Sequence, residues 1–237
     1  MTSSAFHNFV DSVGLAQALV LNERRYRDPP TKNSEQKALS LRGGAAVLCV
    51  AAFESFLRDV FREQMSRLVD DPPVIDFTKL PDKVQVTSTW QSLTIAMRGP
   101  IGTQSDKLAR LPDVTRTARL VGRSLILPEA FAVTNANPSA DTVKEMFKSA
   151  GVSDVFAKAR PGFDSRWPKA EAGSFLVDKL DEIVRRRHAV AHTVDVRRIT
   201  RVELDESIQF LRALAESLDD LLASHVTGLL ATCAPGP

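Results

Sequence analysis

Cysteine is scarce, with two in 237 residues: Cys49 inside an apolar helical run and Cys233 in a frayed-looking tail. Two such positions make neither a disulfide framework nor a thiolate metal site, so a reducing cytoplasm is the simplest compartment. Long apolar runs are missing too. The two most apolar stretches, 45–53 and 221–232, fall short of the roughly 20 residues that cross a bilayer, and no membrane span is expected. Asp11, Glu23, Arg24 and Arg25 interrupt the apolar positions near the start, which argues against a secretion leader. Charge of one sign is not in excess. The net charge is +2, so the chain is not the strongly basic domain that by itself marks a nucleic-acid partner. The absence of a 20–50-residue period, of low-complexity tracts and of alternating strand and helix patterns excludes solenoids and α/β folds.

What is present is a soluble, globular composition, 43% hydrophobic and 25% charged, on a chain long enough to bury a sizeable core. Apolar positions recur at helical spacing over residues 4–25, until Asp28-Pro29-Pro30 stops them. A stronger run covers 34–68. Its Leu39, Val47, Phe53, Phe56, Leu57, Val60 and Phe61 spread so widely around the axis that the helix should be central, with Gly43-Gly44 as a place to bend. Near the other end, a helix from about Glu171 brings Phe175, Leu176, Leu180, Ile183 and Val184 along one face. Thr200-Arg201-Val202-Glu203 then has the form of a capping box and opens a last helix reaching to about 230.

Between 70 and 139, prolines at 72, 73, 81, 100, 112, 128 and 138 cut the chain into short pieces. Val84–Trp90 reads as a short strand or an irregular segment, and 91–98 and 115–126 as weak helices. Ser139 reads as the cap of a helix ended by Gly151, 153–158 as a lesser helix, and 160–169 as a loop. The expected fold is all-α: an antiparallel helical bundle with an irregular, mostly helical middle insertion. The expected organisation is one domain over 1–237, with 70–170 as an insertion or subdomain and 232–237 as a disordered tail.

One stretch stands out chemically. RRRHAVAH, residues 185–192, holds Arg185, Arg186, Arg187, His188 and His192, half of the four histidines in the protein. From 183 to 201 there are six arginines, including Arg197 and Arg198, and two histidines against one carboxylate, Asp195. Such a patch attracts phosphate, although a solvated basic helix end gives the same composition. An imidazole moves protons near neutral pH, and a guanidinium presents a fixed fork of donors to phosphate oxygens. Together they suit cleavage of RNA by its own 2′-hydroxyl, a reaction that needs no metal. On an ideal helix His188 and His192 lie about 40° apart, but Arg187 and His192 about 140° apart. A bend near Val190, a helix end near 192, or a second subunit is needed to bring the latter two together. Glu54, set between Phe53 and Phe56, either pairs with Arg58 on an exposed face or looks into a polar pocket and orients an arginine or histidine.

Arg187, the polar residue after it and His192 beyond four intervening residues resemble the Arg-x4–6-His motif of the HEPN superfamily. VDKLDEIVRRRHAVAH and RITRVELDESIQFLRALAESLDDLL resemble its last two helices, and AAVLCVAAFESFLRDVFRE the early helix of the RiboL-PSP-HEPN and related groups. The resemblance implies an all-helical domain that dimerises with its motifs facing each other. It also implies a metal-independent endoribonuclease leaving 2′,3′-cyclic phosphate and 5′-hydroxyl ends, of a kind common among toxins and anti-phage effectors. In those groups an acidic residue corresponding to Glu54 points towards the active site. One departure is His188, where Asn or Asp is frequent.

The expected catalytic set is therefore Arg187, His188, His192 and Glu54, with Arg185, Arg186, Arg197 and Arg198 steering RNA phosphates. No cofactor or metal is expected, and the expected partners are RNA, a second copy of the chain, and an antitoxin or defence component. Three alternatives remain, the plainest being that His188 and His192 merely pack and hydrogen-bond inside the bundle. A noncatalytic helical module would bind RNA or nucleotides without cutting. A metal hydrolase would use His188 and His192 at ligand spacing, but 189–191 are Ala-Val-Ala, so His-Glu-x-x-His is absent and Asp195 or Glu54 would have to be recruited.

Overall fold

The computed structural model describes residues 2–69, 75–99, 102–135, 137–169, 171–193 and 199–234, with His192 and Thr193 described by their backbone only. Among the described residues the regular structure is helical throughout, and the all-α expectation holds. The α-helices are α1 (Ser4–Glu23), α2 (Glu35–Ser66), α3 (Asp82–Val86), α4 (Ser92–Ala96), α5 (Gln104–Gly122), α6 (Ala140–Ser149), α7 (Val155–Asp164), α8 (Phe175–Thr193) and α9 (Arg201–Thr232). Short 3-10 turns at Phe77–Lys79 and Pro128–Phe131 and a π-turn at Thr87–Gln91 complete them. No helix among these residues is long and apolar enough to cross a membrane.

Helix α2 is the axis, packed by α1, α8, α9 and the Pro128–Phe131 turn. Polar contacts give the directions. The start of α1 meets the end of α2, with Ser4 and Ala5 N–H donating to Glu63, and its end meets the start of α2, where Arg42 donates to Glu23. The two helices are therefore antiparallel. Arg201 at the start of α9 also reaches Glu23 (2.7 Å), while Asp219 far along α9 accepts from Ser3 N–H (2.8 Å), so α9 runs parallel to α2. Helix α8 is antiparallel to α9, because Lys179 bonds Glu206 and Arg186 bonds Glu203.

Phe9, Phe53 and Phe56 fill the α1–α2 seam, with tilted and edge-to-face ring pairs, and each buried side chain of this size is worth about 1.5–3 kcal/mol in transfer from water. Gly43-Gly44 does not interrupt α2. A Cβ on Gly44 would lie 3.2 Å from Leu19 Cδ1, so the glycine lets α1 approach closely. The buried Arg42–Glu23–Arg201 ion group locks the far end of the same seam, and Arg42 also donates to the Ile199 carbonyl just after the basic stretch.

Several expectations for the middle of the chain change. Val84–Trp90 is helix and π-turn rather than strand, because the buried positions are Val84, Ser88, Ser92 and Ala96, a four-residue spacing. Two of these are serines, invisible to a hydrophobic pattern. Residues 160–164 belong to α7 rather than to a loop. Pro161 forfeits one backbone bond there, and burial of Ala159 and Phe163 offsets the loss. Helix α5 likewise runs through Pro112, after a Thr103–Asp106 capping box. Ser139 caps α6 as expected, and Gly151, at φ 89°, ends it. Helix α8 begins at Phe175 rather than near Glu171. Of the tail expected over 232–237, Thr232 instead closes α9, and buried Cys233 is pinned by Asp76 N–H on its carbonyl (2.6 Å). Residues 235–237 lie outside the described residues.

Candidate active site

Glu54 comes from the middle of α2 and Arg187 from the last two turns of α8. The α8 stripe of Leu176, Leu180, Ile183 and Val184 is buried, which presses the helix onto the bundle and turns Arg187 towards α2. Glu54 is 8% exposed. Its Oε1 accepts from Thr134 Oγ1 at 2.9 Å and from Arg58 Nη1 at 3.1 Å, and its Oε2 lies 4.0 Å from Arg187 Nη2. The i, i+4 pair with Arg58 is made, though with the carboxylate buried rather than on an exposed face, and Oε2 also faces Arg187.

The guanidinium of Arg187 is half-buried, and its Nε is a buried donor with no acceptor. A buried donor left unmade costs about 1–3 kcal/mol. The 4.0 Å separation is too long for a hydrogen bond. Glu54 therefore holds Arg187 by charge rather than by a hydrogen bond. Thr134, which sequence reasoning missed, is 3% exposed and lies in the non-helical segment after the Pro128–Phe131 turn, where no periodicity marks it.

The other sequence candidates divide. His188 and Arg185 are exposed on α8, in reach of a substrate. Arg186, expected to steer phosphate, is instead held by Glu182 and by Glu203 at 2.6 Å, bridging α8 to the capping box of α9. One helical turn or two further along the same seam, Lys179 holds the Glu206 carboxyl below the usual carboxylate range through a 2.9 Å hydrogen bond. The backbone of His192 is in α8, which stays helical to Thr193. Its side chain and all of Arg197, Arg198 and Asp195 lie outside the described residues. The remaining histidines have structural partners: His7 Nδ1 meets the Ser3 carbonyl at 2.7 Å, and His225 Nε2 meets that of Ala150 at 2.8 Å. Burial pushes the His225 imidazole pKa down.

Among the described residues no group of three or more His, Cys, Asp or Glu is placed to hold a metal ion. The arrangement suits anion binding: a motif arginine fixed by a buried carboxylate, beside exposed His188 on a basic helix face.

The model of the family described as RiboL-PSP-HEPN matches residues 17–224. That span covers α2, α8, the Glu54–Arg187 pair and most of α9. The chain belongs to the RiboL-PSP-HEPN family. Neither the curated proteins nor the solved structures contain a match to it. Membership of this HEPN-type family suggests an RNase-like or nucleotide-binding module.

Proposed function

We propose that this HEPN protein is a metal-independent endoribonuclease that cuts RNA by attack of a 2′-hydroxyl on the adjacent phosphate. The observation that carries the reading is the meeting of Glu54 and Arg187, from helices far apart in sequence, at 4.0 Å in a chain of this family. In the reaction His192 takes the 2′-hydroxyl proton as the O2′–P bond forms. The P–O5′ bond breaks, the departing oxygen receives a proton from His188, and the products are a 2′,3′-cyclic phosphate and a 5′-hydroxyl. Arg187 stabilises the phosphoryl oxygens as their charge grows, with a cation that cannot lose its proton.

Arg185, Arg197 and Arg198 steer the RNA backbone, and Arg186, tied into the α8–α9 seam, supports them from behind. The continuity of α8 supports a homodimer, because positions 187 and 192 lie about 140° apart on a continuous helix and a second copy of α8 closes the gap. The whole chain, with 70–170 as a subdomain, forms the protomer. The role as a cytoplasmic toxin or anti-phage effector, restrained by an antitoxin or defence partner, rests on the family resemblance.

The test is a mixed RNA pool incubated in chelator with wild type, Arg187→Ala and His192→Ala, followed by end-group analysis. Wild type is expected to leave cyclic-phosphate ends. Each variant is expected to lose about 10²-fold or more while still dimerising, the scale on which single acid–base or oxyanion groups act. Equal cutting by all three proteins would sink the reading, and RNA binding without cutting would favour a noncatalytic module.

A further inference from the structure

Trp90 has no packing role that accounts for it. It is 68% exposed, whereas Trp167, the other tryptophan, is buried against Phe163, Phe175 and Phe210. The backbone under Trp90 is nevertheless firmly held. It belongs to the π-turn Thr87–Gln91, where Ser88 accepts from Leu127 N–H at 3.4 Å, Ser92 donates to the Ser88 carbonyl, and Thr94 donates to that of Trp90 at 2.8 Å. A fixed backbone thus presents a large flat apolar ring to solvent.

The ring borders a groove of about 490 Å³, within the size range of small-ligand sites. Phe131 and Met146 give the groove an apolar lining, Gln91 and Asn135 contribute amides, and Asp141 and Glu145 of α6 lie along it. Among the described residues both carboxylates make i, i+3 surface pairs, with Lys144 and Lys148, which are weak in water. The groove also shares a wall with the catalytic pair. Val133 and Asn135 line it, while Thr134 between them is buried and donates to Glu54. Helix α6 is further fixed to α8, the helix of Arg187, by Ala140 N–H donating to Asp181 at 2.8 Å.

We propose that this groove binds a nucleobase of single-stranded RNA, with Trp90 as the stacking face and the Asn135 and Gln91 amides reading the base edge. The inference rests on the ribonuclease reading for its substrate class. A base fits better than a phosphate, because the groove sets two carboxylates against the single cation Lys83, and carboxylates accept hydrogen bonds from the amino groups of adenine, cytosine and guanine. Stacking on an aromatic side chain is the usual way an unpaired base is held. Adenine, with its larger ring and exocyclic amine, should bind better than uracil.

Binding is measured by fluorescence anisotropy of dye-labelled 2′-O-methyl oligoadenylate and oligouridylate, which lack the nucleophile, and tryptophan emission of the whole protein is followed alongside. Because Trp167 is buried, oligoadenylate is expected to quench chiefly Trp90, with no such quench in Trp90→Phe. Trp90→Leu is expected to bind roughly ten-fold more weakly, the scale of one lost base stack, and to lose the preference for adenylate, whereas Trp90→Phe stays near wild-type affinity. Unchanged affinity in a folded Trp90→Leu, or binding without quenching, overturns the proposal. So does emission that changes with protein concentration alone, which would assign the groove to a second copy. If wild type cuts RNA and Trp90→Leu binds and cuts equally, the groove fails and the nuclease stands. If oligoadenylate quenches Trp90 and no RNA is cut, the nuclease fails and the groove stands.

Discussion

Glu54 divides its two oxygens between tasks. Oε1 is taken by Thr134 and Arg58, so Oε2 is the oxygen left facing Arg187. The Thr134 hydroxyl thereby decides how the carboxylate is turned, and through it where the guanidinium sits. Thr134→Val keeps the shape and removes the donor. It is expected to lower kcat about 10-fold or more, since misplacement of reacting groups by about 1 Å can cost 10²-fold, with little change in KM and with activity restored by Thr134→Ser. A folded Thr134→Val with wild-type kcat would reduce Thr134 to a packing role. Glu54 stood out as a carboxylate inside an apolar helix and Arg187 as part of a cation-rich helix end, but their facing each other was implied only by the family resemblance. Thr134 was not legible: it is an ordinary residue in a non-helical segment, 80 positions from its partner.

Helices were legible wherever local signals carried them. The capping box at Thr200 and the Ser139 cap make the side-chain bonds that those residues allow, and the boundaries there follow from the chain alone, whereas the Thr103 capping box that opens α5 at Gln104 was not legible, and the sequence marks a helix only from 115. The failures share a cause. Ser88 and Ser92 are buried through contacts made across the structure, and Pro161 is carried by Ala159 and Phe163, so tertiary packing overrode propensity at each. The start of α1 shows a further device that spacing could not reveal, with the carboxylates of Glu63 and Asp219 receiving its first N–H groups, a favourable place for negative charge. Asp219 is 1% exposed, and its Oδ1 has no partner. Burial pushes its carboxyl pKa up, bonds from Ser3 pull it down, and Asp220 and Glu63 push it up again, leaving it raised. A raised folded pKa means that the ionised group costs stability above that pKa, and that the cost fades as pH falls through it towards the unfolded value. Asp219→Asn, which keeps an acceptor for Ser3, is therefore expected to raise Tm at pH 7, with the advantage shrinking towards pH 4. An equal Tm difference at both pH values would show that ionisation of Asp219 is not the cause.

At the scale of the whole molecule, helical periodicity was enough to anticipate a bundle, because α1, α2, α8 and α9 each bury an apolar face that needs another helix. Periodicity does not say which residues of α8 look inward. The structure turns Arg187 towards Glu54 and keeps α8 helical through Thr193, and the backbone register then places position 192 on a different side of the helix. A site that needs both residues is consequently best completed across a two-fold axis, Arg187 from one copy and His192 from the other. This arrangement predicts complementation. Arg187→Ala and His192→Ala are each expected to be inactive alone, but in the proposed dimer, when they are mixed and allowed to exchange subunits, half of the dimers should be mixed, with one of the two sites in each intact. The mixture should recover about a quarter of wild-type activity, as expected for a composite two-fold site. Recovery should require exchange, so variants cross-linked as homodimers before mixing should stay inactive. Absence of recovery after demonstrated exchange would place both groups in one chain, and would require α8 to bend near Val190 when RNA binds.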